Sequence, residues 1–133
     1  MSTTIHCRYT GELHCQAEHG PSGSQLHTDA PSDHAGLGEG FAPTDLVATA
    51  LGTCVLTIMG IAAKERGWDL EGAELSVEKT MQPEPRRIAS LELSITLPSH
   101  LNSSQRQLLQ QAANQCPVKL SLEGAIPMNF RWL

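Results

Sequence analysis

The 133-residue sequence predicts one globular domain of mixed strand and helix, and three features carry that reading. Short strand signals separated by turn residues come first, a long charge-free apolar run follows, and a cleanly alternating strand then leads into an amphipathic helix. With 40% apolar and 17% charged residues, the chain can close one hydrophobic core and is too short for two.

Thr4 to Tyr9 and Leu13 to His19 read as strands around the turn residues Thr10 and Gly11, and Ser24 to Thr28 follows the turn at His19-Gly20-Pro21-Ser22-Gly23. This is the pattern of a three-stranded antiparallel meander. Thr28 to Gly40, with Pro31, Gly36, Gly38 and Gly40, is a long loop. Pro43 suits a first helical turn, Asp45 sits at the positive end of the same helix, and Gly67 after Arg66 is its C-cap. Ala73 to Thr80 alternates weakly, whereas Leu91, Leu93, Ile95 and Leu97 alternate cleanly with polar residues, and Pro83-Glu84-Pro85 joins the two strands. Asn102 or Ser103 caps a helix whose inward face holds Leu101, Leu108, Leu109, Ala112, Ala113 and Cys116. Pro117 opens a further helical turn through Leu122, and Met128 to Leu133 is a last strand.

Leu46 to Ala63 lacks any charged side chain for 18 residues, the lower limit for a membrane span. Thr49, Thr53, Thr57, Gly52 and Gly60 weaken the drive to insert, so the run reads as a core helix. Some 24 residues of helix span roughly 36 Å, more than one small domain wraps. A homodimer is therefore expected, with Ala50, Gly52 and Gly60 permitting close helix contact.

A net charge of -5 and a pI near 5.6 argue against nucleic acid and anionic membrane surfaces as partners. The N-terminal residues do not form an export signal, so a cytoplasmic location is expected, and the four cysteines read as reduced thiols whose disulfides would be transient.

Cys54 lies in the apolar helix and Cys116 directly before Pro117, 62 residues away. A cysteine reacts as its thiolate, which burial disfavours, so a reactive one needs a dipole or a cation beside it. Cys116 would find unpaired N–H groups at the start of the turn begun by Pro117. Cys54, mid-helix, would need a side chain such as Arg8, Arg86 or Arg87. Without such help, a cysteine on an apolar helix is core filler. His6, Cys7, His14, Cys15 and His19 follow no established zinc spacing, so no metal site is expected there. His27, Asp29, Asp33 and His34 read as solvated turn residues, and no phosphate-binding loop, dinucleotide fingerprint or nucleophile elbow occurs.

The stretch Phe41-Ala42-Pro43-Thr44-Asp45-Leu46-Val47-Ala48-Thr49-Ala50-Leu51-Gly52-Thr53-Cys54, paired with Gln115-Cys116-Pro117-Val118, resembles the double signature of the OsmC and Ohr family of organic hydroperoxide reductases, and its OsmC-like branch in particular. Thr28-Asp29-Ala30-Pro31 and Pro85-Arg86-Arg87-Ile88 are similar to that branch as well, and the order of elements agrees from about Thr4 to Leu133, with residues 1–133 taken as a single domain. The resemblance implies an α+β fold in an intertwined homodimer, with long central helices packed between antiparallel sheets. It implies that Cys54 is the peroxidatic cysteine and Cys116 the resolving one, that organic hydroperoxides are the substrates, that a dithiol or lipoyl-type reductant restores the thiols, and that no cofactor or metal takes part.

Family members carry a glutamate ten residues before the reactive cysteine, paired with an arginine of the N-terminal hairpin. Here that position is Thr44, the carboxylate falls one residue later at Asp45, and His14 stands near the arginine's place. One residue turns a helical side chain by about 100°, so Asp45 is a candidate supporting carboxylate rather than a direct match. The residue that activates Cys54 is left open among Arg8, His14, Arg86 and Arg87. The alternative reading is a non-enzymatic protein on the same fold that binds a small apolar ligand or senses redox state.

Overall fold

The structure, a computed structural model, describes all 133 residues. The chain divides into two compact units, Met1–Leu46 and Val47–Leu133. Two separate three-stranded sheets and three helices make the fold α+β, as the sequence implies.

The first unit is an antiparallel meander of β1 (Ile5–Gly11), β2 (His14–His19) and β3 (Gln25–Asp29), paired in that order. Thr10 and Gly11 belong to β1, so the expected turn moves to Glu12 and Leu13. Both have positive φ, 55° and 63°, which matches the right-handed twist of a tight hairpin but is costly for residues with a Cβ. Tyr9 secures it, its hydroxyl accepting the Leu13 N–H at 3.2 Å. Beyond β3, the loop folds back on the sheet: Asp29 N–H donates to Phe41 C=O and Ala30 N–H to Leu13 C=O. Gly36 passes so close to Ala30 that a Cβ there would lie 1.7 Å from its carbonyl oxygen. Asp29, read from the sequence as a solvated turn residue, is 2% exposed because this loop covers it.

Helix α1 (Pro43–Glu65) starts at the proline and ends just before the turn at Arg66 and Gly67, the latter at φ 72°. Asp45 Oδ2 accepts the Ala42 N–H at 2.9 Å, closing the first turn. In the second unit α1 faces a three-stranded sheet of β4 (Glu74–Pro83), β5 (Arg86–Thr96) and β6 (Met128–Trp132). The sheet is mixed rather than wholly antiparallel: β4 and β5 form a hairpin, but β6 pairs parallel to β5 after the crossover through α2 (Ser103–Ala113) and α3 (Pro117–Leu122). Asn102 caps α2 in a reciprocal box with Gln105.

The core joins Leu51, Val55 and Met59 of α1 to Leu91, Leu93 and Ile95 of β5 and Leu109 of α2. Full burial of each such side chain contributes about 1.5–3 kcal/mol. At Gly52 helix and sheet pack tightly, since a Cβ there would stand 2.9 Å from Leu75 and 3.0 Å from Val77. Its small size thus serves packing against β4 of its own chain. By length and composition α1 would also suffice to cross a membrane, but Leu51, Val55 and Met59 make it a core helix. Ala50, Thr53, Thr57 and Ile61 form an exposed, uncharged stripe along it, and Thr53 and Thr57 turn their hydroxyls back to the carbonyls of Thr49 and Thr53.

Candidate functional site

Cys54 and Cys116 meet within the second unit. Cys54 stands midway along α1, half-buried, and packs on the hydrophobic core of which Cys116 is a fully buried member. The Cys54 thiol stands close enough to Cys116 to act on its proton. The contact needs three local features: α1 must carry Cys54 on the flank of its buried face, α2 must end at Ala113, and Pro117 must restart the helix directly after Cys116. As N-cap of α3, Cys116 lies outside the helical conformation at φ -58°, ψ 119°, and its Sγ accepts the Lys119 N–H at 3.4 Å.

The electrostatics of Cys116 differ from the sequence expectation. The N–H groups of Lys119 and Val118 do favour the thiolate, as the helix-start argument requires. Burial outweighs them, and with the neighbouring Cys54 thiol adding in the same direction, the Cys116 thiol is pushed above its ordinary 9.0. Cys116 is therefore held as a neutral thiol at physiological pH.

The other named residues have partners of their own. Arg8 donates to Gln16 Oε1 at 3.2 Å across the first sheet, and Arg87 donates to the Ala125 carbonyl at 2.8 Å. His14 faces Asp29 and Glu39 in the first unit, 3.5 Å and 3.8 Å from their carboxylate oxygens. Asp45 closes the start of α1, and Thr44 precedes it in that turn. Sequence reasoning missed Asp29, whose Oδ2 accepts the Glu39 N–H at 2.9 Å. That hydrogen bond holds the Asp29 carboxyl below the usual carboxylate range, with burial opposing and His14 and the amides of Ala30 and Leu37 assisting. Nothing local marks Asp29 as buried; the glycines of the following loop were the available signal.

A family profile described as OsmC-like protein matches residues 36–131. No curated protein matches the sequence. Among solved structures, a protein of Psychrobacter arcticus 273-4, provisionally described as an osmotic stress induced and detoxification response protein, is 36% identical with a TM-score of 0.92, over 100% of this chain and 97% of that one. The OsmC-like protein of Mycoplasma pneumoniae is 15% identical (TM-score 0.84, 100% and 96% covered). The organic hydroperoxide resistance protein OhrB of Bacillus subtilis is 17% identical (TM-score 0.71, 100% and 98% covered). At those two identities the likeness is one of fold. The profile match over most of the chain and the 36% identity at full coverage go further, and this chain belongs to the OsmC-like protein family.

Proposed function

We propose that this protein is a cytoplasmic, homodimeric thiol peroxidase that reduces organic hydroperoxides. The observation that carries the reading is the placing of Cys54 and Cys116 side by side at the edge of an apolar core. The name of the Bacillus subtilis relative, an organic hydroperoxide resistance protein, supports the substrate class.

In the proposed cycle, the Cys54 thiolate attacks one peroxide oxygen, the O–O bond breaks, and the departing alkoxide takes a proton to leave as an alcohol, with Cys54 becoming a sulfenic acid. Sulfur is oxidised and peroxide reduced by two electrons. Cys116 then attacks the Cys54 sulfur, a disulfide forms, and the hydroxyl departs as water with the Cys116 proton. A dithiol or lipoyl-type reductant returns both thiols by exchange. The raised pKa of Cys116 suits this order, because a neutral thiol waits while Cys54 meets the peroxide. Asp45 supports the site by fixing the start of the helix that carries Cys54.

Stopped-flow mixing of the reduced protein with cumene hydroperoxide tests the reading. Rapid loss of two thiols per chain to a Cys54–Cys116 bridge, absent in Cys54→Ser, is the expected result. Oxidation no faster than that of a free thiol overturns it, and retention of a small apolar ligand would then favour a binding protein. The dimer is expected to bury the Ala50, Thr53, Thr57 and Ile61 stripe. Sedimentation should give two chains for the wild type and one for Thr57→Arg; a monomeric wild type removes dimerisation from the proposal.

A further inference from the structure

His14, Asp29 and Glu39 converge at one end of the first sheet. His14 and Asp29 are directly opposed on β2 and β3, so their side chains share a face with Cβ atoms about 5 Å apart. Glu39 comes from the loop after β3, held there by its own N–H on Asp29 Oδ2. His14 Nε2 lies 3.5 Å from Asp29 Oδ1 and 3.8 Å from Glu39 Oε1, and the three donor atoms fall within 4.8 Å of one another.

A second observation concerns Asp29 alone. Its side chain is 2% exposed, and although Oδ2 is bonded to Glu39, Oδ1 is buried without a hydrogen-bond partner and turned toward His14. A carboxylate oxygen withdrawn from water with no hydrogen bond, and only the His14 ring nitrogen 3.5 Å away, is costly. A cation at the meeting point of the three side chains compensates that cost.

We propose that His14, Asp29 and Glu39 form a binding site for a divalent transition-metal ion of the Zn²⁺ type, held by His14 Nε2, Asp29 Oδ1 and Glu39 Oε1. Ligand atoms about 2.1 Å from a tetrahedral zinc stand about 3.4 Å apart. The His14 to Asp29 separation of 3.5 Å already fits. Glu39 must close in by a few tenths of an ångström or more, and its side chain is 57% exposed and free to swing. Water takes the fourth position on the open side. One imidazole and two carboxylates suit Zn²⁺, Mn²⁺ or Fe²⁺ and disfavour the soft Cu⁺. The backbone bonds from Asp29 to Phe41 and from Ala30 to Leu13 position the ligands, and the ion would tie that loop to the sheet. The sequence cluster of His6, Cys7, His14, Cys15 and His19 contributes only His14, because the two carboxylates arrive through the strand register and the loop.

The test is anaerobic titration of the full-length, reduced, chelator-stripped protein with Co²⁺ and Zn²⁺. One ion per chain is expected, with a Co²⁺ spectrum free of any thiolate charge-transfer band. Loss of even an outer partner typically costs about 10–100-fold in affinity, so His14→Gln and Glu39→Gln should each weaken binding at least tenfold. Asp29→Asn should do the same while its amide oxygen still accepts the Glu39 N–H. Glu39 is exposed, so Glu39→Gln separates loss of a ligand from loss of fold. Absence of saturable binding, a thiolate band, or unchanged affinity in Glu39→Gln overturns the proposal.

Discussion

Cys116 and Asp29 are two buried acids with opposite fates. Each has lost its water, and in each case burial works against the charged form. For Cys116 burial is the largest effect, and the thiol stays protonated. For Asp29 it comes second to the Glu39 N–H hydrogen bond, and the carboxyl is held ionised. Both receive backbone N–H groups, so donor type does not separate them. Asp29 lies under a loop that aims the amides of Glu39, Ala30 and Leu37 at it and has His14 opposite. Cys116 sits in a hydrocarbon core beside another thiol, with Lys119 and Val118 supplying weaker bonds to sulfur. Burial leaves an acid neutral unless the donors brought to it outweigh the lost hydration.

The sharpest way to break this contrast on the thiol side is Cys116→Ser. Cys54 should still consume one equivalent of peroxide but stall as sulfenic acid, and dithiol-supported turnover should fall at least on the order of a hundredfold, because a diffusing thiol replaces one held in place. Steady-state peroxide consumption measures this, with trapping of the sulfenic acid. Unchanged turnover would deny Cys116 the resolving role.

Next in size is Gly36→Ala, which strikes the carboxylate side. Its Cβ would collide with the Ala30 carbonyl at 1.7 Å, and the loop that supplies the Asp29 donors would have to move, at a cost of about 1–3 kcal/mol. A lowered urea midpoint is the expected outcome; no change would mean that the loop relaxes freely.

A smaller effect sharpens the comparison through pH. Above 9.0 the unfolded chain releases a thiol proton that native Cys116 retains, so its contribution to stability is full below that pH and is lost as pH rises through the raised native value. Urea midpoints should therefore decline on the alkaline side in the wild type and decline less in Cys116→Ala. Equal slopes would show that burial does not hold the proton.

The smallest expected change is a gain. Leu13 occupies φ 63° and is partly exposed, so Leu13→Gly should relieve about 1 kcal/mol of backbone strain at the hairpin. Thermal unfolding should rise by a few degrees, and a fall would show that the Leu13 side chain matters more than its backbone.

Much of this architecture was legible in the residues themselves. Pro43 and Gly67 bound α1 as read, the alternation of Leu91, Leu93, Ile95 and Leu97 marked a strand with one buried face, and Asn102 caps α2. The hairpin turn was misplaced because Glu12 and Leu13 are not residues that prefer positive φ. The second sheet was expected to be antiparallel throughout, and its β6 is parallel because α2 and α3 carry the chain back across β5. Asp29 was read as a solvated turn residue because nothing beside it in sequence shows that the loop reaching to Glu39, ten residues onward, buries it.

By itself the sequence determined the elements, the apolar faces and the two cysteines worth watching, since period, caps and prolines act over a few residues. Only the tertiary structure decided that Cys54 and Cys116 come together on one core, that burial wins at Cys116, and that His14, Asp29 and Glu39 share one end of a sheet. Desolvation and strand register depend on residues far apart in the chain, and no local pattern encodes them.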